Sequence, residues 1–152
     1  MSVCVSKILV DYNNPRILEA GCGSGKATIL LEPDCEKTLL DISPSALKYA
    51  KFLSDQFGAK NINYIQGDIF KMPFQSEEFD LVWNIGVLEH YDNKYIIDIL
   101  CEMIRVTKRN GIISFGVPNS FSLPIIKAKI LKYWFLRFIP GYRIHTDLIP
   151  GK

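Results

Sequence analysis

Histidine is scarce in this 152-residue chain, with only His90 and His145, and the four cysteines, Cys4, Cys22, Cys35 and Cys101, form no C-x-x-C pair. Without ligands at metal spacing no metal site is expected, and scattered thiols suit a reducing compartment, so the expected location is the cytoplasm. Although 48% of the residues are hydrophobic, no run of about 18 apolar residues occurs, which argues against a membrane span. The N-terminus lacks the long apolar block and small-residue cleavage site of a secretory signal. Residues 1–124 carry 12 basic and 15 acidic side chains, so the body has no basic excess with which to neutralise phosphates, and no nucleic-acid partner is expected. Two common phosphate cradles are missing as well. After Gly25 come Lys26, Ala27 and Thr28, with no third glycine at the dinucleotide spacing. The loop is also too short for a P-loop, and Ala27 stands where the magnesium-binding hydroxyl would be.

What is present is a regular alternation of strand and helix signals. Arg16 to Ala20 reads as a first strand, Ser24 to about Leu31 as a helix opened by a glycine turn, and Lys37 to Asp41 as a second strand. Ser43-Pro44 supplies an N-cap followed by proline at the first helical position, where its missing N–H costs nothing. The helix that follows shows an apolar face of Leu47, Ala50, Leu53 and Phe57, with Gly58 placed to end it. Asn61 to Gln66 and Phe79 to Asn84 are further strands. Asp92 is the expected cap of a helix from about Lys94 to Thr107, and Asn110-Gly111 is read as the turn into a strand from Ile112 to Val117. Val5, Ile8, Leu9 and Tyr12 suggest a short helix ahead of the first strand. Phe52, Phe57, Phe79, Leu81 and Val82 are expected in the core, and burial is the favoured reading for Trp83. The alternation predicts an α/β fold: a doubly wound, mainly parallel open sheet of five strands. One domain is expected over 1–152, with its core at 15–119.

Acids fall at or just beyond strand ends: Glu19 in Leu-Glu-Ala-Gly-Cys-Gly-Ser-Gly, Asp41 in Leu-Leu-Asp-Ile-Ser and Asp68 in Gly-Asp-Ile. Glycines let the main chain pass close to a ligand, and a carboxylate ending the next strand can accept hydrogen bonds from ribose hydroxyls. A nucleoside-binding crevice is the reading. These elements, with Phe79-Asp80-Leu81-Val82-Trp83-Asn84, Val87-Leu88-Glu89-His90 and Arg105 to Gly111, resemble in order and spacing the class I S-adenosylmethionine-dependent methyltransferases, in particular their small-molecule branch. The resemblance covers about Ile17 to Asn119. It implies that Gly21, Cys22 and Gly23 approach the methionine part of the cofactor and that Glu19 lies near its ammonium. It further implies that Asp41 binds the ribose, Ile42 packs on adenine, Asp68 and the Ile69 N–H read the adenine edge, and Asn84 lines the methionine side. His90 is the candidate general base, a histidine at this position also serving to hold its loop; Glu89 and Tyr91 are weaker candidates.

Residues 125–143 carry five basic and no acidic side chains, interleaved with Trp134, Phe135 and Phe138. A basic aromatic helix over about 122–139 is expected, and three uses stay open: packing on the sheet, which is favoured, a lid over an apolar substrate, or peripheral membrane contact through 125–142. Family members usually continue with two more antiparallel strands, for which ten residues are too few. The missing pair leaves an edge strand able to pair with a second copy as a homodimer. It also leaves open a catalytically silent cofactor-binding or partner subunit, or a fragment of a longer methyltransferase. An NAD(P)-linked oxidoreductase is the less favoured alternative to methyl transfer onto a small, apolar acceptor.

Overall fold

Five parallel strands form one sheet in the order β3-β2-β1-β4-β5, with β1 at Arg16–Ala20, β2 at Glu36–Asp41, β3 at Ile62–Gln66, β4 at Phe79–Ile85 and β5 at Thr107–Gly116. The computed structural model describes residues 12, 14–31 and 35–116. The chain divides after Gly116 into two compact units, and every described residue belongs to the first. The expected helices around Val5 to Leu9 and over 122–139, and the proposed membrane contact through 125–142, lie outside the described residues. Among those that are described, no helix is long and apolar enough to cross a membrane.

Helices α1 (Lys26–Ile29), α2 (Pro44–Phe57) and α3 (Asn93–Val106) connect the strands. Because side chains alternate along a strand, β1 feeds two cores. Leu18 and Ala20 pack with Leu40 and Val82 and with Ile99, Met103 and Val106 of α3. Ile17 joins Leu31, Cys35, Leu81 and Trp83, while Leu39 sits with Ile29, Leu47 and Ala50 from α1 and α2. The fold is therefore doubly wound as expected. Its strand order reverses between β1 and β4, the place where such sheets open a crevice.

Ser43 caps α2 by accepting from the Ala46 N–H at 3.3 Å, Pro44 opens the helix, and Gly58 ends it in the left-handed region at φ 63°. Several expectations need correction. Helix α1 is shorter than Ser24 to Leu31, because Gly21, Gly23 and Gly25 all take positive φ and keep the turn going to Lys26. Phe52 and Phe57 are 55% and 51% exposed. The buried stripe of α2 is Leu47, Ala50 and Ser54, the Ser54 hydroxyl being tolerated there because it bonds the Lys51 carbonyl and the Tyr64 hydroxyl. Asp92 occupies the N-cap position of α3 but its side chain makes no capping bond. Asn110-Gly111 is not a turn ahead of β5, which begins at Thr107 directly after α3. Phe79 pairs with Thr107 and Leu81 with Ile112, so the segment between bulges out of register. Gly111 is required by crowding there: a Cβ would lie 2.7 Å from Thr107 Cγ2 and 2.9 Å from the Asp80 carbonyl oxygen.

The loop after β3 is fastened to α3 by an ion pair. Arg105 donates to the Phe74 and Met72 carbonyls at 2.8 and 3.0 Å and pairs with Glu102 at 2.8 Å, while Glu102 accepts from the Met72 N–H at 2.9 Å.

Candidate functional site

At the carboxyl ends of β1, β2 and β3 lies a hollow of about 170 Å³ walled by Gly21, Asp41, Ile42, Asp68, Ile69 and Val87, with Tyr91 at its edge. A larger one of about 320 Å³ opens between the ends of α1 and α2, beside Lys37 and Lys60, and among the described residues no acid lines it. The smaller hollow is the one lined by carboxylates, those of Asp41 and Asp68.

Its walls follow from local sequence. Gly21 has φ 73°, and a Cβ there would lie 2.7 Å from Val87 Cγ2, so only glycine lets the turn after β1 pass beneath the turn after β4. The Gly21 and Cys22 N–H groups both donate to the Leu40 carbonyl, at 2.8 and 2.9 Å, tying this turn to β2. Asp41 ends β2 and accepts from the Gly23 N–H at 2.7 Å and the Ser43 N–H at 2.9 Å. One carboxylate thus fixes the glycine turn and the entry to α2. Asp68 accepts from the Phe70 N–H at 2.9 Å. Ile42 is 69% exposed beside the hollow, whereas Ile69 is buried. Gly67 is another close approach, a Cβ there meeting Leu40 Cδ1 at 2.8 Å.

Glu19, Cys22, Gly23, Asn84 and His90 do not line this hollow. Glu19 and Asn84 are buried in neighbouring strands, and each keeps an oxygen, Oε2 and Oδ1, with no hydrogen-bond partner. Asn84 donates from Nδ2 to the Ala20 carbonyl at 2.5 Å. Burial pushes the Glu19 carboxyl up from its ordinary range to about 7; bonds from the Thr28 hydroxyl and main chain pull it part of the way back, and Asp41 adds to the rise. The Cys22 thiol is raised by burial and by the neighbouring Glu19 and Asp41 carboxylates, so it stays neutral. His90 is exposed at the end of the 3₁₀ turn Leu88–His90.

Sequence reasoning did not single out Val87 or Leu40 as wall residues, both being ordinary apolar positions without a chemical signature. The buried bond from the Trp83 indole to the Thr28 hydroxyl carried no signal because it spans 55 residues of sequence. Among the described residues no cluster of His, Cys, Asp and Glu could hold a metal ion.

Residues 12–135 match the model of a family described as a methyltransferase domain. The chain is 33% identical over 113 residues to the malonyl-[acyl-carrier protein] O-methyltransferase of Enterobacter lignolyticus, a match covering 74% of this chain and 42% of the relative. It is 31% identical over 133 residues to the ubiquinone/menaquinone biosynthesis C-methyltransferase of Ectopseudomonas mendocina, covering 82% and 50%. The chain thus spans half or less of the length of these curated relatives. Among solved structures it is similar to a putative S-adenosyl-L-methionine-dependent methyltransferase from Methanococcus maripaludis, with a TM-score of 0.66 at 22% identity over 86% of this chain and 62% of that one. The PH0226 protein from Pyrococcus horikoshii gives 0.64 at 27% identity, over 73% and 54%.

Proposed function

The chain belongs to the methyltransferase-domain family, and from that membership and the crevice geometry we propose that it binds S-adenosylmethionine and transfers its methyl group to a small-molecule acceptor. The observation that carries the proposal is the hollow at the carboxyl ends of β1, β2 and β3, where Asp41 and Asp68 flank two isoleucines beside a turn whose Gly21 leaves no room for a Cβ.

The residues fit such a cofactor. An ionised carboxylate offers about four acceptor positions, so Asp41 can bind ribose hydroxyls while still holding the Gly23 and Ser43 amides. Exposed Ile42 gives an apolar platform for adenine, and Asp68 an acceptor for its amine. An ammonium carries donors only, which suits the partnerless oxygens of Glu19 and Asn84. The hollow is smaller than the roughly 300–1,000 Å³ of common ligand sites. It accounts for the nucleoside portion, the amino-acid portion being assigned to the turn at Gly21 to Gly23.

When bound, the cofactor supplies an electrophilic methyl group on a sulfonium. The protein's task is alignment, which needs neither a metal nor a covalent enzyme intermediate. His90, exposed after β4, is the proposed base for an acceptor that starts out protonated. The matched relatives are named for malonyl-[acyl-carrier protein] and for ubiquinone/menaquinone biosynthesis, and a small-molecule acceptor with an apolar body is proposed here. Among the described residues β5 has a neighbour on one side only; self-association through that edge is proposed and is checked by light scattering.

Calorimetric titration tests the cofactor assignment. S-adenosylmethionine and S-adenosylhomocysteine should bind and NADPH should not. Binding of NADPH alone would move the chain to the oxidoreductase alternative.

A further inference from the structure

Three aromatic rings from three segments meet at the rim of the hollow: Phe70 in the loop after β3, Tyr91 directly after the 3₁₀ turn that follows β4, and Tyr95 in the first turn of α3. Phe70 lies between the two tyrosines, its ring centre 5.3 Å from that of Tyr91 at an interplanar angle of 87° and 6.0 Å from that of Tyr95 at 77°. Near-perpendicular rings at such spacings attract because the positive edge of one meets the negative face of the other. Of the three, Tyr91 is the one that lines the hollow. The tyrosines are 37% and 47% exposed, so the cluster is no part of the core, against which Phe70 packs from outside. Phe70 has a second tie: its N–H donates to Asp68 Oδ1 at 2.9 Å. One residue thus holds an acid of the hollow through its main chain and a ring of the hollow through its side chain. Asp92, between the tyrosines, makes no capping bond, so no side-chain cap fixes the course of this segment into α3. Arg105 already fastens the far end of that helix to the same loop, and the rings fasten its near end.

We propose that Phe70 and Tyr95 are positioning residues for the nucleoside: the perpendicular trio braces the Tyr91 ring as an apolar wall on the Asp68 side of the hollow, and the purine packs against the ring so held. The inference rests on the cofactor assignment above and extends it to two residues that do not line the hollow. An unbraced ring at an exposed position rotates freely about its side-chain torsions, and in a hollow of about 170 Å³ many of those positions either block the ligand or leave it uncovered. A ligand must then order the ring as it binds, which weakens affinity. A braced ring has lost that freedom before the ligand arrives. Because the bond from Phe70 to Asp68 is made by the main chain, changing the Phe70 side chain removes the brace and keeps the donor on Asp68.

The test is a pair of double-mutant cycles in the full chain, read by calorimetric titration with methylthioadenosine, each variant being checked for folding by circular dichroism. Tyr91→Leu should weaken binding about tenfold, Phe70→Leu about fivefold and Tyr95→Leu about threefold. If Phe70 and Tyr95 act through Tyr91, each combined with Tyr91→Leu should bind within about twofold of Tyr91→Leu alone, in place of the roughly fiftyfold and thirtyfold losses that independent sites would give. Tyr91→Phe keeps the ring and should recover affinity to within about twofold of wild type. Tyr95 is half-exposed, so its cycle decides the matter if Phe70→Leu fails to fold. Losses that multiply, an unchanged dissociation constant in Tyr95→Leu, or a loss in Tyr91→Phe as large as in Tyr91→Leu would overturn the brace. Failure of the wild type to bind either methylthioadenosine or S-adenosylhomocysteine would instead overturn the cofactor assignment on which the brace depends.

Discussion

The carboxylates that line the hollow and the polar side chains buried beside it are held in opposite ways. Asp41 and Asp68 accept from amides of their own and neighbouring turns, at 2.7–2.9 Å, and sit at the carboxyl end of β2 and just beyond that of β3. Glu19 and Asn84 are buried in β1 and β4, and each keeps an oxygen with no donor. The first pair is satisfied by the fold alone and would add ligand bonds through spare lone pairs. The second pair carries an unmet cost, since a buried acceptor without a partner forfeits its hydration. One side of the crevice is built to hold its shape, and the other is built to be completed.

The sharpest way to break this contrast is to neutralise Glu19. Because its carboxyl titrates near 7 in the folded chain rather than at the ordinary 4.5, the native state keeps a proton that the unfolded chain has released between those values. Its contribution to stability is therefore full below about pH 4.5, declines as pH rises toward 7, and stays diminished above. The decline is on the order of 3 kcal/mol. Glu19→Gln should abolish it, leaving the ligand-free variant more stable than wild type at pH 8 while binding S-adenosylhomocysteine less well. Urea titrations at pH 5 and 8 measure this, and a variant with the wild-type pH profile would remove the contrast.

On the satisfied side, Asp41→Ala should act the other way, lowering both stability and affinity. It orphans the Gly23 and Ser43 amides and deletes the proposed ribose bonds, weakening cofactor binding by roughly 1.5–3 kcal/mol. An unchanged dissociation constant would contradict the role given to this wall. Gly21→Ala tests whether the hollow's shape matters independently of charge: a Cβ at φ 73° against Val87 should cost about 1–2 kcal/mol of stability, read from the thermal midpoint. Smallest of all, His90→Ala should leave stability and cofactor affinity within about 0.5 kcal/mol, since the residue is exposed. A fall in methyl-transfer rate alone would support its assignment as base.

The satisfied side was also the legible one. Asp41 and Asp68 follow strands whose period and bounding glycines mark their ends, and their amide partners are nearby turns, so local sequence carries the signal. The five strands were readable for the same reason, each agreeing with its observed span to within a few residues except the start of β5. There Asn110-Gly111 has the chemistry of a turn, but packing against Asp80 makes the glycine serve a bulge instead. Phe52 and Phe57 misled because apolar character was read as burial, when the phase of α2 against the sheet favours Ser54. The Trp83–Thr28 bond could not be read at all. It joins β4 to α1 across 55 residues of sequence, and nothing near Thr28 distinguishes it from any helix-surface threonine until the two elements are brought side by side.

The Arg105 clamp bears on how the crevice can move. A single guanidinium spans two carbonyls of the segment following Asp68 and the carboxylate one turn before it on α3, so the wall at Asp68 and the last turns of that helix share their fastening. Amide protons in the two should exchange with solvent as one cooperative unit, and anything that loosens the end of α3 will be felt as a softening of the wall some thirty residues earlier in the chain.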